Sequence, residues 1–495
     1  MNPLILALDQ GTSSSRAIIF NKAQEALATF SQTIKCKYPQ SGWVEQDANE
    51  IWSSQLACLQ GVLRSAKVNL SDITGIGVTN QRETIIAWDK VTSKPLGPAI
   101  VWQCRRTIKI CQGLKEKGLE PTFKNKTGLL LDPYFSGTKM RWLLENNPDV
   151  AQAATEGRLA FGTVDSWLIW NLTGGKLHVT DASNASRTLL FNIKSGQWDA
   201  ELLGILQIPL ESLPTVVDSS GQIGVTDQVV GGVIPIAGIC GDQQAALFGQ
   251  CCFEVAQVKN TYGTGCFMLA NTGTRPITSH NNLLTTVAWQ IDGVTHYALE
   301  GSVFIAGALI QWLRDQLGLF TQAKDTEAMA LSVENSEGVF VVPAFVGLGA
   351  PHWDATARGA ILGLTAQANK NHIVRAALEA IAYQATELLH SMEKDMGAVV
   401  KSIRVDGGAA QNGFLCQFQA DLTGCDVALP EQTEATALGA ALLAGLALGV
   451  WESKEEIQKL WRQKHLYKPT ITRPKAEKLM AGWGRAVERS KNWVE

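Results

Sequence analysis

The sequence predicts an α/β protein made of two halves that face each other across a cleft. Its 495 residues are too many for one hydrophobic core. Strand-like and helix-like segments alternate along the chain, which is typical of the α/β class. A strand, a Gly-Thr turn and a second strand occur as LILALDQGTSSSRAIIF and recur about half a chain later as VAQVKNTYGTGCFMLANTG. So short a match is also compatible with a chance turn, but the half-chain spacing favours a duplicated unit.

Three strands separated by turn residues open the chain, and this pattern favours an antiparallel meander. A helix and two further strands follow them. These elements are predicted at 4–8, 15–20, 25–34, 49–66, 73–79 and 85–89. We expect the boundary between the halves near residues 250–255, which gives the segments 1–252 and 253–495. A cleft between two such segments is the usual place for a ligand.

The composition excludes a general attraction to nucleic acid or to an anionic membrane. Lys and Arg number 43, Asp and Glu number 46, and the net charge is −3. The ten cysteines have no C-x-x-C spacing, which favours reduced thiols in the cytoplasm. The N-terminal apolar run lacks a basic start and predicts a buried strand, not a signal peptide. The apolar run at 436–450 is too short to span a membrane and predicts a closely packed buried helix.

A polar turn follows the first predicted strand and reads Asp9-Gln10-Gly11-Thr12-Ser13-Ser14-Ser15-Arg16. Gly11 allows a tight turn whose N–H groups can face phosphate oxygens, and the hydroxyls beside it add donors. Asp9 at the strand end can hold Mg²⁺, and Arg16 can supply a cationic fork. The alternative is a polar β-turn without a ligand.

Two later turns could also contact a phosphate or a nucleotide. Thr261-Tyr262-Gly263-Thr264-Gly265 offers a second hydroxyl turn, suited to the far side of a phosphate chain that is clamped between the halves. The segment 405–412 is a glycine-rich turn from a strand into a helix, where a flat ring or a phosphate can approach the backbone. Asn412 there can hydrogen-bond an adenine or ribose edge. Glycine-rich turns of this kind are also common without ligands.

Several polar segments suit a small polyol. Arg82 and Glu83, between two predicted strands, fix hydrogen-bond donors and acceptors side by side, although an exposed loop ion pair is the alternative. The segments around Trp102 and Tyr134 add aromatic walls. Asp242 follows an apolar strand and can accept a proton from a hydroxyl that attacks phosphorus. Its alternative role is to cap the helix that follows.

Ten segments of the chain together resemble the FGGY carbohydrate kinase family. They are DQGTSSSR, NQRE, WQCRR, DPYFSGTK, GDQQAALFGQ, NTYGTGCFMLANTG, YALEG, AGALIQWLRD, VPAFVGLGAP and RVDGGAAQN, and the resemblance extends from about residue 4 to residue 451. It implies two actin-like, ribonuclease-H-like domains that close on ATP and glycerol. The implied reaction is in-line transfer of a phosphoryl group to a terminal hydroxyl, which gives sn-glycerol 3-phosphate and ADP.

The matching positions imply roles for individual residues. The residues that hold the glycerol hydroxyls are Arg82, Glu83, Tyr134, Asp242 and Gln243, with Asp242 as the general base. Trp102 and Phe267 pack against the glycerol carbons. The residues that meet the ATP phosphates are Thr12, Ser13, Ser14 and Arg16, and Asp9 meets the magnesium ion. The nucleotide positions of the second half are Thr264, Gly307, Gln311, Gly408 and Asn412.

Departures from the family pattern bear on regulation. Related bacterial enzymes carry a Gly-x-Arg loop that binds fructose 1,6-bisphosphate, whereas residues 228–235 here read QVVGGVIP, without arginine or histidine. We therefore expect weak or absent inhibition by the bisphosphate and no activation by phosphorylation of a histidine in this loop. The C-terminal helix expected from Lys475 onward lacks clear identity with the segment that docks a sugar-transport regulatory protein, so that partner stays open. The histidines lack metal-ligand spacing, so we expect no structural metal.

We expect a homo-oligomer that binds neither nucleic acid nor membranes. Two alternatives to glycerol phosphorylation stay open. One is another sugar or polyol kinase of the same family, against which the NQRE and WQCRR segments argue, because larger sugars need a differently lined pocket. The other is a non-catalytic, nucleotide-switched actin-like protein, which has no need for a base such as Asp242.

Overall fold

The structure, a computed structural model, describes residues 3–494 of the chain. Its strands are β1 (Leu4–Gln10), β2 (Ser14–Asn21), β3 (Ala26–Thr33), β4 (Glu45–Gln46), β5 (Ile73–Asn80), β6 (Ile85–Asp89), β7 (Ala99–Ile100), β8 (Leu159–Thr163), β9 (Val179–Asp181), β10 (Phe191–Asn192), β11 (Gln197–Trp198), β12 (Thr215–Val217), β13 (Ser220–Val225), β14 (Pro235–Gly241), β15 (Val258–Tyr262), β16 (Cys266–Gly273), β17 (Leu284–Ile291), β18 (Val294–Val303), β19 (Phe340–Val342), β20 (Ala360–Leu362), β21 (Ser402–Asp406), β22 (Asp426–Pro430) and β23 (Gln463–Tyr467).

The α-helices are α1 (Ala48–Ala66), α2 (Ile108–Glu116), α3 (Glu120–Thr127), α4 (Ser136–Asn146), α5 (Pro148–Thr155), α6 (Val164–Leu172), α7 (Ala182–Ala185), α8 (Ala200–Leu206), α9 (Asp242–Gly249), α10 (Gly307–Asp315), α11 (Asp325–Leu331), α12 (Lys370–Met396), α13 (Gly413–Thr423), α14 (Ala435–Ala447), α15 (Lys454–Leu460) and α16 (Arg473–Ser490). The elements predicted for the start of the chain correspond to β1, β2, β3, α1, β5 and β6.

One mixed sheet passes through both halves, in the order β23-β22-β21-β15-β16-β18-β17-β13-β14-β5-β1-β2-β3. The same arrangement of five strands occurs twice within it. In β3-β2-β1-β5-β14 the first two pairings are antiparallel and the last two are parallel. The order β18-β16-β15-β21-β22 repeats these directions strand for strand. This confirms the predicted α/β class, the N-terminal meander and the duplicated unit.

The repeat explains why the two Gly-Thr turns match in sequence. β1–β2 and β15–β16 occupy corresponding positions in the two five-strand units, so the second turn is not a chance resemblance. Each of these strand pairs is a hairpin. Its first strand also pairs in parallel with another strand, β1 with β5 and β15 with β21. The two turns therefore lie at the carboxyl ends of the first strands, where open α/β sheets bind ligands.

A small second sheet, ordered β4-β7-β6-β8, lies beside the N-terminal unit. β5 belongs to the large sheet and β6 to the small one, and only residues 81–84 connect them. That loop is therefore fixed at the junction of two sheets and leaves little backbone freedom to its charged side chains.

The glycine- and alanine-rich helix α14 joins the two halves. It packs on the β5 and β14 strands and against α9. At Gly439, a Cβ atom would lie 1.8 Å from the Ala245 carbonyl oxygen, so only glycine permits this approach of the two helices. Most of α14 is buried, which confirms the interpretation of 436–450 as a closely packed helix. No helix within residues 3–494 is both long enough and apolar enough to cross a membrane.

Candidate active site

Neighbouring strand ends bring the first group of polar segments together. β1, β5 and β14 are parallel neighbours, and Gln10, Asn80 and Gly241 lie side by side in register. The turn 11–13, the loop 81–84 and the first residue of α9 consequently share one edge of the sheet. Backbone pairing thus brings together residues that are 70 or more positions apart in the sequence.

The turn after β1, for which a phosphate contact is predicted, is tight and lies at the edge of a cleft. The Gly11 N–H donates to the Ser14 carbonyl (2.9 Å), which closes a tight turn, and the Trp102 indole N–H donates to Thr12 Oγ1 (2.9 Å). Thr12 and Ser13 line a cleft between the halves. Ser14 is the first residue of β2 and does not line that cleft.

Arg16 links charges from both halves of the chain. It stands opposite Asp9 in the β1–β2 register, and its Nη2 lies 2.5 Å from Asp9 Oδ2. Its Nη1 lies 2.7 Å from Oε2 of Glu434, which immediately precedes α14. Burial raises the pKa of Asp9, and the charge of Arg16 opposes that shift. Arg16 is thus beside the phosphate turn, but its guanidinium is shared between two carboxylates.

The second Gly-Thr turn packs against the start of α10. The Thr264 carbonyl accepts from the N–H groups of Ala306 (2.9 Å) and Ala308 (3.1 Å). A cavity opens from this turn into the C-terminal half. It is lined by all of the nucleotide residues that the sequence predicts for this half, namely Thr264, Gly307, Gln311, Gly408 and Asn412. The apolar side chains of Ile310 and Leu378 form walls that suit a flat ring. The cationic side chains of Arg314 and Lys324 also line the cavity, and no role was predicted for them from the sequence.

The two glycines after β21, Gly407 and Gly408, differ in their surroundings. Gly407 has φ +87°, and a Cβ there would lie 2.4 Å from the Tyr262 carbonyl oxygen, so glycine is required by both conformation and space. Gly408 faces open space in the cavity. Asn412 caps α13 by accepting from the Leu415 N–H (3.0 Å) and donates to Thr326 Oγ1 (3.2 Å). Its side chain is therefore held at the cavity wall.

A second cavity lies between the halves and meets the first at Thr264, which lines both. Every residue predicted to contact a polyol lines it: Arg82, Glu83, Trp102, Tyr134, Asp242, Gln243 and Phe267. Thr12 and Ser13 of the first phosphate turn line it as well. The predicted polyol residues, the first Gly-Thr turn and the predicted nucleotide residues thus line two cavities that share Thr264.

Arg82 and Glu83 are buried, so the alternative of an exposed loop ion pair is wrong. Only 2% of Arg82 and 1% of Glu83 is accessible to solvent. Glu83 adopts φ +59°, an uncommon conformation for a residue with a side chain, and its carbonyl accepts from Ser136 Oγ (3.0 Å) and Lys139 Nζ (3.3 Å). These bonds hold the backbone of Glu83 in its strained conformation at the wall of the cleft.

Two further buried charges complete a network that sequence reasoning missed. Glu300 on β18 accepts from both terminal nitrogens of Arg82, at 2.5 and 3.0 Å, and from Arg187 Nη2 at 3.0 Å. Arg187 Nε in turn donates to Glu83 Oε1 (2.6 Å). Burial alone would raise the pKa of Glu300, but Arg187 and Arg82 lower it to about 2. Because this network is closed, Arg82 and Glu83 have little freedom to change rotamer.

Asp242 is the first residue of α9, and Gly241 is the N-cap, so the N-cap alternative for Asp242 is wrong. Its Oδ1 lies 3.1 Å from Arg82 Nε and accepts from the Gln243 N–H (2.7 Å). Both contacts use Oδ1, which leaves Oδ2 for a ligand in the cleft. Desolvation raises the pKa of Asp242, while Arg82 and Lys259 oppose the shift. A carboxylate in this position is suited to accept a proton from a bound hydroxyl.

Three aromatic rings form one wall of the cleft. The centroid of Trp102 lies 5.6 Å from that of Tyr134 and 6.4 Å from that of Phe267, with edge-to-face orientations. Tyr134 also receives a hydrogen bond from Arg82 Nη2 on its hydroxyl (3.3 Å). A polyol held by the charged groups would thus rest its carbon atoms against rings.

The donor set near the first turn fits a magnesium ion that arrives with phosphates. Within residues 3–494 no group of three or more His, Cys, Asp or Glu side chains is arranged to hold a metal. Mg²⁺ is commonly held by one or two carboxylates together with substrate phosphates, and Asp9 at the end of β1 offers such a carboxylate.

The fold and this site define a sugar or polyol kinase of the actin-like type, and sequence comparison agrees. Residues 4–249 match the N-terminal domain of the FGGY family of carbohydrate kinases, and residues 258–448 match its C-terminal domain. The chain belongs to this family.

Within the family the chain is similar to glycerol kinases. It is 54% identical to that of Thermoanaerobacter pseudethanolicus over 100% of both chains, and 54% identical to that of Deinococcus radiodurans over 99% of this chain and 98% of the relative. A crystal structure of Plasmodium falciparum glycerol kinase with ADP superposes with a TM-score of 0.92, at 35% identity over 99% of this chain and 98% of that one. Gluconate kinase from Lactobacillus acidophilus, at 23% identity and a TM-score of 0.88, shares the fold.

Proposed function

We propose that the protein transfers the γ-phosphoryl group of ATP to a terminal hydroxyl of glycerol, giving sn-glycerol 3-phosphate and ADP. The observation that carries the proposal is the position of Asp242, which lines a polar cleft that meets the second cavity at Thr264 and whose contacts with Arg82 and the Gln243 N–H use Oδ1. Full-length similarity to glycerol kinases supports the same substrate. The charged and aromatic walls suit a three-carbon polyol with several hydroxyls and an apolar carbon edge.

The proposed reaction begins with glycerol held by Arg82, Glu83, Tyr134 and Gln243 against the aromatic wall. Asp242 takes the proton of the terminal hydroxyl as its oxygen attacks the γ-phosphorus. The bond from the γ-phosphorus to the bridging oxygen breaks in line, and ADP leaves. N–H groups of the two Gly-Thr turns stabilise the phosphoryl oxygens. Closure of the halves would exclude water, which otherwise competes with glycerol as acceptor.

We assign ATP to the cavity of the C-terminal half, with its phosphates between the turns at Thr12 and Thr264. When bound, Mg²⁺ would neutralise charge on the phosphates, and Asp9 would hold it. Arg16 would exchange part of its contact with Glu434 for a phosphate oxygen, because a guanidinium fork binds phosphate as readily as carboxylate. This places one cation, one carboxylate and two backbone turns along a single phosphate chain.

A substrate panel tests this function directly. ADP release coupled to NADH oxidation should be fast with glycerol, slower with dihydroxyacetone, and at least tenfold lower in kcat/KM with erythritol and xylulose, because larger sugars need a differently lined pocket. Higher activity with xylulose or erythritol would assign the chain to another sugar kinase of the family. Nucleotide binding without ADP release on any of the four compounds would support a nucleotide-switched protein instead.

We propose that fructose 1,6-bisphosphate inhibits this enzyme weakly or not at all. The 228–235 segment begins with a short helix at Gln228–Val230, and the neighbouring Asp227 pairs with Lys176 (2.7 Å). No arginine in the segment can form the bidentate contact that phosphate recognition favours. A steady-state titration to millimolar bisphosphate should leave the rate within about twofold of its starting value. Strong inhibition at micromolar concentration would contradict this prediction.

We further propose that the chain divides into an N-terminal domain at 1–252 and a C-terminal domain at 253–495. The ten cysteines are all free in the structure, which supports a reducing compartment such as the cytoplasm. Assembly into a homo-oligomer remains part of the proposal.

A further inference from the structure

A buried lysine lies behind the substrate cleft and takes no part in the reaction described above. Lys259 is the second residue of β15 and has no solvent exposure. Its Nζ donates to Gln243 Oε1 (2.5 Å), Thr261 Oγ1 (2.9 Å) and the Phe267 carbonyl (3.2 Å). An ammonium group has three N–H donors and no acceptor, so these bonds use its full capacity. The three acceptors hold Nζ at one point beside Gln243.

This contact fixes which end of the Gln243 carboxamide faces the cleft. An ammonium can only donate, so the atom that faces Lys259 must be the carbonyl oxygen and not the amide nitrogen. The NH₂ group is then on the opposite side of the carboxamide. Among the residues that the structure describes, none accepts a hydrogen bond from Gln243 Nε2, and Gln243 lines the cleft beside Asp242.

The resulting pattern is a donor next to an acceptor. Gln243 offers N–H groups, and Asp242 offers the lone pairs of Oδ2. A hydroxyl is both acceptor and donor, so one polyol hydroxyl or two adjacent ones can satisfy both side chains. The reversed carboxamide would place two acceptors side by side and would leave a hydroxyl oxygen without a donor.

We propose that Lys259 is a positioning residue, which holds the Gln243 carboxamide with its NH₂ group toward the substrate and thereby sets the affinity for glycerol. The inference deepens the proposed function and rests on it. Burial of a charge here is costly, and the carboxylates of Asp406 and Asp242 offset that cost. The other charged groups that face Lys259 are Arg82 and Glu300.

A double-mutant cycle on glycerol affinity tests the proposal. Lys259→Met keeps an unbranched side chain that is one atom shorter and donates no hydrogen bond, and Gln243→Ala removes the carboxamide. We expect each variant to weaken glycerol binding about tenfold by calorimetry, which is the loss of about one hydrogen bond to a polar group, while kcat falls less than threefold. The double variant should also be about tenfold weaker, because both changes remove the same contact. A loss of about a hundredfold in the double variant would overturn the proposal.

Lys139 provides a matched control for the cycle. It is also a fully buried lysine at this site, but its Nζ donates to the carbonyls of Tyr134 (2.5 Å) and Glu83 (3.3 Å) and not to Gln243. Lys139→Met combined with Gln243→Ala should therefore show multiplied losses. If the Lys139 pair and the Lys259 pair behave alike, Lys259 has no special relation to Gln243.

The wild-type pH profile is a second test that needs no lysine variant to fold. Burial lowers the pKa of Lys259 to about 8, so a neutral amine that no longer enforces the carboxamide orientation appears above that pH. The glycerol dissociation constant of the wild type should rise between pH 7.5 and 9.5. Burial lowers the pKa of Lys139 to about 8 as well, but its contribution is the same in the wild type and in Gln243→Ala.

The difference between the two profiles therefore isolates Lys259. A steeper alkaline rise in the wild type than in Gln243→Ala supports the proposal, and superimposable profiles overturn it. Wild-type turnover of glycerol at pH 7 is measured in the same series. Its absence would refute the proposed function, whereas normal turnover with an additive cycle would refute the role of Lys259 alone.

Discussion

Asp242→Asn is expected to keep glycerol binding, weakened at most about tenfold by the loss of one hydrogen-bond acceptor, and to lose phosphoryl transfer by about 100- to 10,000-fold, the usual contribution of a general base. Asparagine keeps the size of the side chain, and its Oδ1 can still accept from Arg82 and from the Gln243 N–H. It has no basic oxygen at the position of Oδ2, so the attacking hydroxyl keeps its proton. Calorimetry with glycerol and the coupled ADP assay measure the two quantities separately.

Asp227→Asn is the matched control for this variant. Asp227 immediately precedes the short helix at Gln228–Val230, and its Oδ1 accepts from the N–H of the next residue, Gln228, at 2.5 Å, as Asp242 does from Gln243 at 2.7 Å. Asp227 is paired with Lys176 at the surface and does not line the cleft. It should retain full activity. Near-normal turnover in Asp242→Asn would refute the role as base, and an equal loss in both variants would show that the loss does not depend on a carboxylate in the cleft.

The dependence of kcat on pH below neutrality is a second test of Asp242 as the general base. Desolvation raises the pKa of Asp242, so its base form is lost at a higher pH than for an exposed aspartate. The value of kcat should fall as the pH decreases through this raised pKa, while the glycerol dissociation constant changes less. In Asp242→Asn the residual rate should lack this acid limb.

The sequence predicts those parts of the site that follow strand ends. Asp9, Arg82 and Asp242 each stand at or beside the carboxyl end of a strand with a strong apolar pattern, and parallel pairing brings such ends together whatever their separation in the chain. The duplicated Gly-Thr turns are visible for the same reason. Local patterns therefore suffice for the fold class and for the positions of the two Gly-Thr turns and of the residue that we propose as the general base.

The contacts of the buried partners of these residues cannot be predicted from the sequence around each partner. Glu300 is the one acidic residue of β18, and it contacts Arg82 across 218 positions of the chain. Arg187 follows a four-residue helix and contacts Glu83 across 104 positions. Lys259 precedes the second Gly-Thr turn by only a few residues, yet its contact with Gln243 depends on the approach of α9. A single charged residue in a buried strand indicates an ion pair, because an unpaired charge is costly to bury. It does not identify the partner residue.

Glu300→Gln should lower the free energy of unfolding by about 3–5 kcal/mol, the usual cost of removing one member of a buried ion pair. Glu300 has no solvent exposure and accepts from two guanidinium groups. Glutamine has one acceptor oxygen, and its NH₂ group would face a guanidinium that can only donate. Arg82 and Arg187 would then repel each other with less compensation, and Arg82 would move from its position beside Asp242.

The catalytic consequence should be a raised KM for glycerol together with a lower kcat, because Arg82 contacts both the polyol pocket and Asp242. Glu145→Gln is the control. Glu145 pairs with Arg141 at 2.7 Å on the surface of α4 and is 41% exposed, so its loss should change neither stability nor KM measurably. Wild-type stability and KM in Glu300→Gln would show that the network contributes nothing to positioning Arg82.

The pH dependence of the stability difference provides an independent check. The arginines lower the pKa of Glu300 to about 2 in the folded protein, from an ordinary value of about 4.3 in the unfolded chain. A carboxylate with a lowered folded pKa contributes its full stabilisation above the unfolded pKa and loses it as the pH falls toward the folded pKa. The wild type should therefore exceed Glu300→Gln in stability by a constant amount above about pH 5, and the gap should narrow between about pH 4 and pH 2. A gap that stays constant down to pH 2 would mean that shape, and not the charge of Glu300, accounts for the loss.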